Sequence, residues 1–287
     1  MGQRFQILLE LIKFRISVFS TFTTSVGFIL AAKALSLDIL APTFGILFLA
    51  FGSAVLNQYQ ERQPDALMER TRNRPIPTGR VRPVLALLIS LVFVLTGSVI
   101  LYFGTNLPAF FLGLLALVWY NGIYTNLKKV TAFAVVPGSL IGSIPPAVGW
   151  AAGGGDILDP PILAVMFFFF IWQVPHFWLL ILLYGRQYEK AGFPSLTALF
   201  SNDQIKRLIF IWIVASAVAC VLIPFFGVVD IPVINVGLYI TAIWLVYQSS
   251  KMFGTGGHTF SSGYAFRQIN IYALVVILLM SIDSLVN

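Results

Sequence analysis

The sequence predicts an all-α, polytopic membrane protein with nine transmembrane helices, and three observations carry that prediction. Hydrophobic residues make up 58% of the chain and charged residues 10%, where a soluble domain carries about a quarter charged residues. The mean hydropathy is +0.89, and the apolar residues collect into stretches of roughly twenty, the length that crosses a hydrocarbon core as a helix. The cations fall on one side of the chain that these stretches would weave. A net charge of +7 could point to nucleic acid. Here the basic residues flank apolar spans, so they read as loop anchors at a membrane surface and no nucleic-acid partner is expected.

The expected spans are 14–32, 40–59, 83–103, 107–124, 132–152, 161–184, 207–226, 231–250 and 268–286. The first is long for a cleavable leader, and its removal would take away Lys13 and Arg15, so it reads as a retained span. The third and fourth are separated by the short turn from Gly104 to Pro108. Pro42, Pro137, Pro145, Pro146 and Pro175 fall inside spans, which lipid-embedded helices tolerate when neighbours satisfy the freed carbonyls. The chain reads as one transmembrane domain over residues 1–287. Cys220 is the single cysteine and lies in an apolar run, which excludes a disulfide framework and a thiolate metal site.

Orientation follows from the charges. With the N-terminus inside, the cytoplasmic segments hold Arg4, Lys13, Arg15, Arg62, Arg70, Arg72, Arg74, Arg80, Arg82, Lys128, Lys129, Arg186, Lys190, Lys206, Arg207, Lys251 and Arg267. The other side holds Lys33 with Asp38, Asp156, Asp159, Asp230 and Asp283. An N-terminus in the cytoplasm and a C-terminus outside a cell membrane is therefore expected.

Two cytoplasmic segments are chemically rich. The first, NQYQERQPDALMERTRNRPIPTGRVR, runs from Asn57 to Arg82. Asn57, Glu61 and Asp65 are spaced four apart and would share a face of a continuous helix, with Pro64 a candidate break just before Asp65. Hard oxygen donors of this kind suit Mg2+. Arg70, Arg72 and Arg74 follow, with forked donors that suit phosphate. Together they form a diphosphate-binding constellation. Its bland alternative is a basic loop with compensating acids, but Asn57 and Glu61 end an apolar helix, where polar groups are expensive and tend to be functional.

The second segment, WQVPHFWLLILLYGRQYEKAGFPSLTALFSND, runs from Trp172 to Asp203. Gln173 and His176 sit within the sixth apolar span, and Gln187, Tyr188, Glu189 and Lys190 follow at its cytoplasmic end. His176 reads either as a substrate contact or as a hydrogen bond to a neighbouring helix. The run Phe167 to Phe170 reads as a lipid-facing or core stripe rather than a cavity wall, and His258 reads as an exposed loop residue. Both rich segments follow an even-numbered span, so two halves meeting at a centre would bring them together.

These blocks, with YTNLKKVTAFAVVPGSLIGSIPPAVGWAAG between them, resemble the UbiA-type intramembrane prenyltransferases over roughly residues 11–200. PPAVGWAAG and WQVPHFW resemble the protoheme IX farnesyltransferase (haem O synthase) branch in particular. The resemblance implies helices around a central cavity with a cytoplasmic cap, haem B and farnesyl diphosphate as substrates, Mg2+ as cofactor, and haem O and diphosphate as products. It implies Asn57, Glu61 and Asp65 as the catalytic Mg2+ motif. Arg70, Arg74, Lys128, Lys13 and Arg15 match diphosphate-binding positions, and Gln173, His176, Gln187 and Tyr188 fall in the substrate-binding block.

That family usually has an aspartate immediately before the tyrosine of the second block, where this chain has Gln187 before Tyr188. A quinone-type aromatic prenyltransferase would share the first motif. A transporter or haem-carrying factor would not need it, and would place polar groups near the midplane instead. The product's recipient, a haem A synthase or a terminal oxidase assembly, is not written in the sequence.

Overall fold

The computed structural model describes residues 2–253 and 261–287, so His258 lies outside the described residues. Helix α1, Gly2–Leu11, leads into α2, Phe14–Ala32, through a sharp corner at Lys13. Then come α3, Leu40–Gln60, α4, Arg62–Leu67, α5, Pro83–Gly104, and α6, Leu107–Val118. The fourth span continues through a π-helical turn, Trp119–Tyr124, into α7, Thr125–Leu127. The fifth is built from α8, Val135–Gly138, and α9, Leu140–Ala152. After them run α10, Pro160–Lys190, α11, Leu196–Leu199, α12, Asn202–Leu222, α13, Pro232–Ser250, and α14, Ser262–Val286. Among the described residues nine helical segments are long and apolar enough to cross a membrane. The protein is an all-helical multi-pass membrane protein.

Helix boundaries outrun the apolar stretches. The sixth span continues to Lys190 and the seventh begins at Asn202. Ser201 starts the latter with a capping box, its hydroxyl accepting from the Gln204 N–H. Backbone hydrogen bonding does not stop where lipid stops, and these ends project into the polar interface.

Small residues let the helices approach in a solvent that offers no hydrophobic drive between them. A Cβ at Gly27 of α2 would meet the Pro146 carbonyl of α9, and one at Gly149 would meet the Thr24 carbonyl in return. Pro145 and Pro146 therefore sit within α9 where α2 packs closely against it. Helix α3 packs on α5, α10 packs on α9, α12 and α14, and α14 returns to α2. Phe168 and Phe169 are buried in the core while Phe167 is exposed, so that run is a core stripe with one lipid-facing ring.

The charges divide between the two ends of the bundle. At the acidic end Lys33 Nζ lies 3.6 Å from Asp230 Oδ2. Asp283, fully buried, accepts from the Asp230 N–H at 3.1 Å and the Ile231 N–H at 2.8 Å, closing the start of α13. The basic end gathers the α1–α2 corner, α4, the 68–82 loop, α7 and the end of α10.

Candidate functional site

The chain breaks between α3 and α4 at Glu61, whose φ of −105° and ψ of 9° lie outside the helical region. It does not break before Asp65. Pro64 instead occupies the first turn of α4, where its missing N–H costs nothing. The Asp65 N–H still donates to the Glu61 carbonyl at 2.8 Å, so the bend keeps both residues on one side. Asn57, Glu61 and Asp65 are all buried.

Each of the three faces a cation. Lys13 Nζ donates to Asn57 Oδ1 at 2.8 Å, Lys128 pairs with Glu61, and Arg74 Nη1 donates to Asp65 Oδ2 at 2.6 Å. Because an ammonium only donates, the Lys13 contact identifies which end of the Asn57 amide is oxygen. The other end, Nδ2, then donates to Thr125 Oγ1 at 3.3 Å, and that hydroxyl donates to the Tyr120 carbonyl at 2.8 Å. The π-helical turn makes this possible, because it leaves the Tyr120 carbonyl facing a residue five positions on. Asn121 in the same turn accepts from Ser53 Oγ at 2.6 Å and donates to Gln60 Oε1 at 3.2 Å, stitching the turn to α3.

Lys13 adopts a left-handed conformation, φ 49° and ψ 48°, at the α1–α2 corner. Burial lowers its ammonium to about 7, and nearby Arg74 pushes the same way. A lysine held in a strained backbone and an unfavourable charge environment belongs where function demands it. Arg15 stands apart from the cluster. It is exposed, with no side-chain hydrogen bond or ion pair among the described residues, because a residue two positions on points to a different face of the helix.

The two rich segments do meet. The Arg70 N–H donates to Gln187 Oε1 and Arg70 Nη2 donates to the Tyr188 hydroxyl, both at 3.2 Å, and the guanidinium lies 5.3 Å from the centre of the Tyr184 ring. Glu189 turns away and accepts from Thr197 Oγ1. Lys128 is flanked by the rings of Tyr124 at 5.3 Å and Phe193 at 6.0 Å. Tyr120 and Tyr124 stack at 5.8 Å, and Tyr124 reaches Phe177 at 6.4 Å. An opening of about 370 Å3, lined by Glu10, Arg70, Asn73, Arg74, Pro75 and Arg80, lies beside the cluster.

Gln173 and His176 are not part of this cluster. They lie about 21 Å and about 17 Å back along α10 from Gln187, at a rise of about 1.5 Å per residue. A Cβ at Gly142 would collide with the Gln173 carboxamide, so a glycine in α9 makes the room that side chain uses. The His176 ring stacks obliquely between Trp172 at 4.8 Å and Phe266 at 4.7 Å. Sequence reasoning passed over Tyr120, Tyr124 and Thr125. The signal was the spacing Tyr120, Tyr124, Lys128, one helical face at the end of the fourth span.

The donor set fits a hard divalent cation. One amide oxygen and two carboxylates converge, and each now faces a positive group, which is where a metal's charge would be welcome.

A family model described as the UbiA prenyltransferase family matches residues 20–259. The chain is 31% identical to a protoheme IX farnesyltransferase from Oleidesulfovibrio alaskensis, covering 97% of this chain and 96% of that one. It is 34% identical to protoheme IX farnesyltransferase 1 of Pseudomonas putida, over 99% and 96% of the two chains. Among solved structures, a UbiA homologue from Archaeoglobus fulgidus bound to GPP and Mg2+ superposes with a TM-score of 0.73 at 15% identity, covering 98% of this chain and 100% of that one. A structure of digeranylgeranylglyceryl phosphate synthase superposes with a TM-score of 0.79 at 15% identity, over 99% and 100%.

Proposed function

The chain belongs to the UbiA prenyltransferase family, and from that premise we propose that it transfers a farnesyl group from farnesyl diphosphate to a vinyl group of haem B, giving haem O and diphosphate. The relatives named above support the acceptor. The observation that carries the site is the convergence of Asn57, Glu61 and Asp65 with Lys13, Lys128, Arg70 and Arg74 in one polar cluster on an apolar bundle.

Asn57, Glu61 and Asp65 would hold Mg2+, which when bound supplies charge that favours loss of diphosphate from the allylic carbon. Lys13, Lys128 and Arg74 then turn from these residues to phosphate oxygens, and Arg70 adds a forked donor. As the C–O bond breaks, the diphosphate keeps the bonding electrons and the allylic cation faces the rings of Tyr120, Tyr124, Tyr188 and Phe193, whose π-faces favour positive charge. The surrounding apolar bundle keeps bulk water away. The haem vinyl electrons form the new C–C bond, and one water adds to the resulting cation with release of a proton. None of these steps needs a nucleophilic side chain. Gln173 and His176, among aromatic rings deeper in the bundle, would line the acceptor's side, and Gln187 and Tyr188 support Arg70.

The basic end would face the cytoplasm of a cell membrane, and residues 1–287 would act as one domain, passing product to a haem A synthase or a terminal oxidase assembly. The test is incubation of the protein in nanodiscs with haem B, farnesyl diphosphate and Mg2+, then mass spectrometry of the extracted haems. A Mg2+-dependent gain of a hydroxyfarnesyl group is expected. Asn57→Ala and Asp65→Ala should remove it while leaving folded protein in the membrane, and full activity in both variants would sink the assignment.

A further inference from the structure

The chain has eleven aspartates and glutamates, and their places decide how many divalent cations the site can hold. Asp38, Asp156, Asp159, Asp230 and Asp283 lie at the acidic end of the bundle, far from the cluster. At the basic end Glu10 Oε2 is taken by Arg80 at 2.8 Å and Asp203 pairs with Lys206 at 3.2 Å. Glu189 is turned to Thr197, and Glu69 is exposed, with no bond to any site residue. Glu61 and Asp65 are the carboxylates that remain, and both stand on the same side, beside Asn57. The opposite side, where α10 enters, presents the neutral groups Gln187 and Tyr188, and what they hold is Arg70.

We propose that the site takes one divalent cation per diphosphate, on Asn57, Glu61 and Asp65, and that Arg70, pinned by Gln187 and Tyr188, supplies the positive charge on the α10 side. This rests on the reading of the cluster as a diphosphate site. Mg2+ binds through one or two carboxylates together with substrate phosphates. A second dication on the α10 side would have no carboxylate and would lie beside Arg70, which Gln187 and Tyr188 hold there, where like charges repel it. Arg70 is suited to the vacancy. Its backbone N–H is tied to Gln187, its guanidinium to Tyr188 and the face of Tyr184, so little freedom is lost when the fork meets phosphate. Gln187 and Tyr188 are positioning residues, since they act through Arg70.

The experiment uses the full chain in nanodiscs with Mn2+ as the metal probe and the unreactive analogue farnesyl S-thiolodiphosphate, with bound Mn2+ counted by equilibrium dialysis and electron paramagnetic resonance. One Mn2+ per chain is expected. Arg70→Ala should still bind one, while its affinity for the analogue falls on the order of 10- to 100-fold, the worth of a charge-assisted contact. Arg70→Lys should recover part of that loss. Gln187→Ala and Tyr188→Phe should weaken the analogue without altering the count, and Glu69→Gln should change neither. Two Mn2+ per chain, a metal lost with Glu69→Gln, or unchanged analogue affinity in Arg70→Ala would overturn the inference. Absence of any Mn2+ or analogue binding by the folded wild-type chain would instead overturn the diphosphate reading beneath it.

Discussion

Lys13 does two things at once, and a pair of substitutions separates them. Its backbone makes the α1–α2 corner in the left-handed region, and its ammonium reaches Asn57 at 2.8 Å. Lys13→Ala and Lys13→Gly both remove the ammonium. Alanine keeps the left-handed penalty of roughly 1–2 kcal/mol per residue, which glycine escapes. Glycine pays back about 0.5–1 kcal/mol through the greater freedom of the unfolded chain. The glycine variant should therefore be more stable than the alanine variant by about 1 kcal/mol, a difference of about 2 °C or slightly less in melting temperature for a chain of this size. Activity should fall equally in both. A lost charge-assisted contact to diphosphate is worth about 1.5–3 kcal/mol, or roughly 10- to 150-fold in kcat/KM for the prenyl donor. Thermal unfolding in one detergent and steady-state kinetics on the same preparations give both numbers. If the glycine variant kept wild-type kcat/KM, the corner would be the functional feature and the ammonium incidental. If alanine and glycine were equally stable, the strain argument would fail.

Three further perturbations reach other parts of the structure. Thr125→Val removes the acceptor that orients the Asn57 amide, so metal dependence should weaken about tenfold or more, while Thr125→Ser restores it; equal behaviour of the two variants in Mn2+ titrations would show that the hydroxyl does not orient Asn57. Gly142→Ala puts a methyl group against the Gln173 carboxamide, so haem prenylation should fall while binding of an unreactive farnesyl diphosphate analogue is kept, and joint loss of both would mean the bundle itself had shifted. Asp283→Ala strips the buried acceptor from two backbone N–H groups at the start of α13, costing about 2–6 kcal/mol of stability at about 1–3 kcal/mol per orphaned donor; KM for either substrate should not move, and a changed KM would place this end of the bundle in the reaction.

The sequence made the spans legible because lipid imposes a length and a composition that few other environments do. All nine expected spans correspond to helices, and the errors fall at the polar ends, where α10, α12 and α14 extend beyond their apolar stretches. Hydropathy registers the lipid boundary, whereas a helix ends where its backbone hydrogen bonds end. Pro64 misled for a related reason. Proline breaks helices from their interior, yet at the first turn of α4 it is tolerated, and the bend falls at Glu61 instead. The motif residues were legible as types but not as pairs. Nothing in the spacing of Asn57, Glu61 and Asp65 assigns Lys13 to the first, Lys128 to the second and Arg74 to the third, since these cations come from three separate parts of the chain. The π-helical turn was equally hidden. Its five-residue register has no hydropathy signature, and yet it aims Thr125 at Asn57.

Those pairings bear on how the site could receive a highly charged substrate beside an apolar bundle. Burying an unpaired carboxylate is costly, and so is burying an unpaired ammonium. The cluster avoids the first before substrate arrives, because each carboxylate is already matched to a cation, while the Lys13 ammonium has only the neutral Asn57 amide. A dication entering with diphosphate would replace those cations at the carboxylates, and the displaced cations would find phosphate oxygens close by. No group need be left bare in the exchange, so the reorganisation is one of partners rather than of burial. Lys13 is the member under most strain in the resting arrangement, in backbone and in charge alike. A phosphate beside it would relieve the electrostatic part, so the resting cost at this corner becomes binding energy when the anion arrives, which is why its removal should be felt in kcat/KM more than in stability.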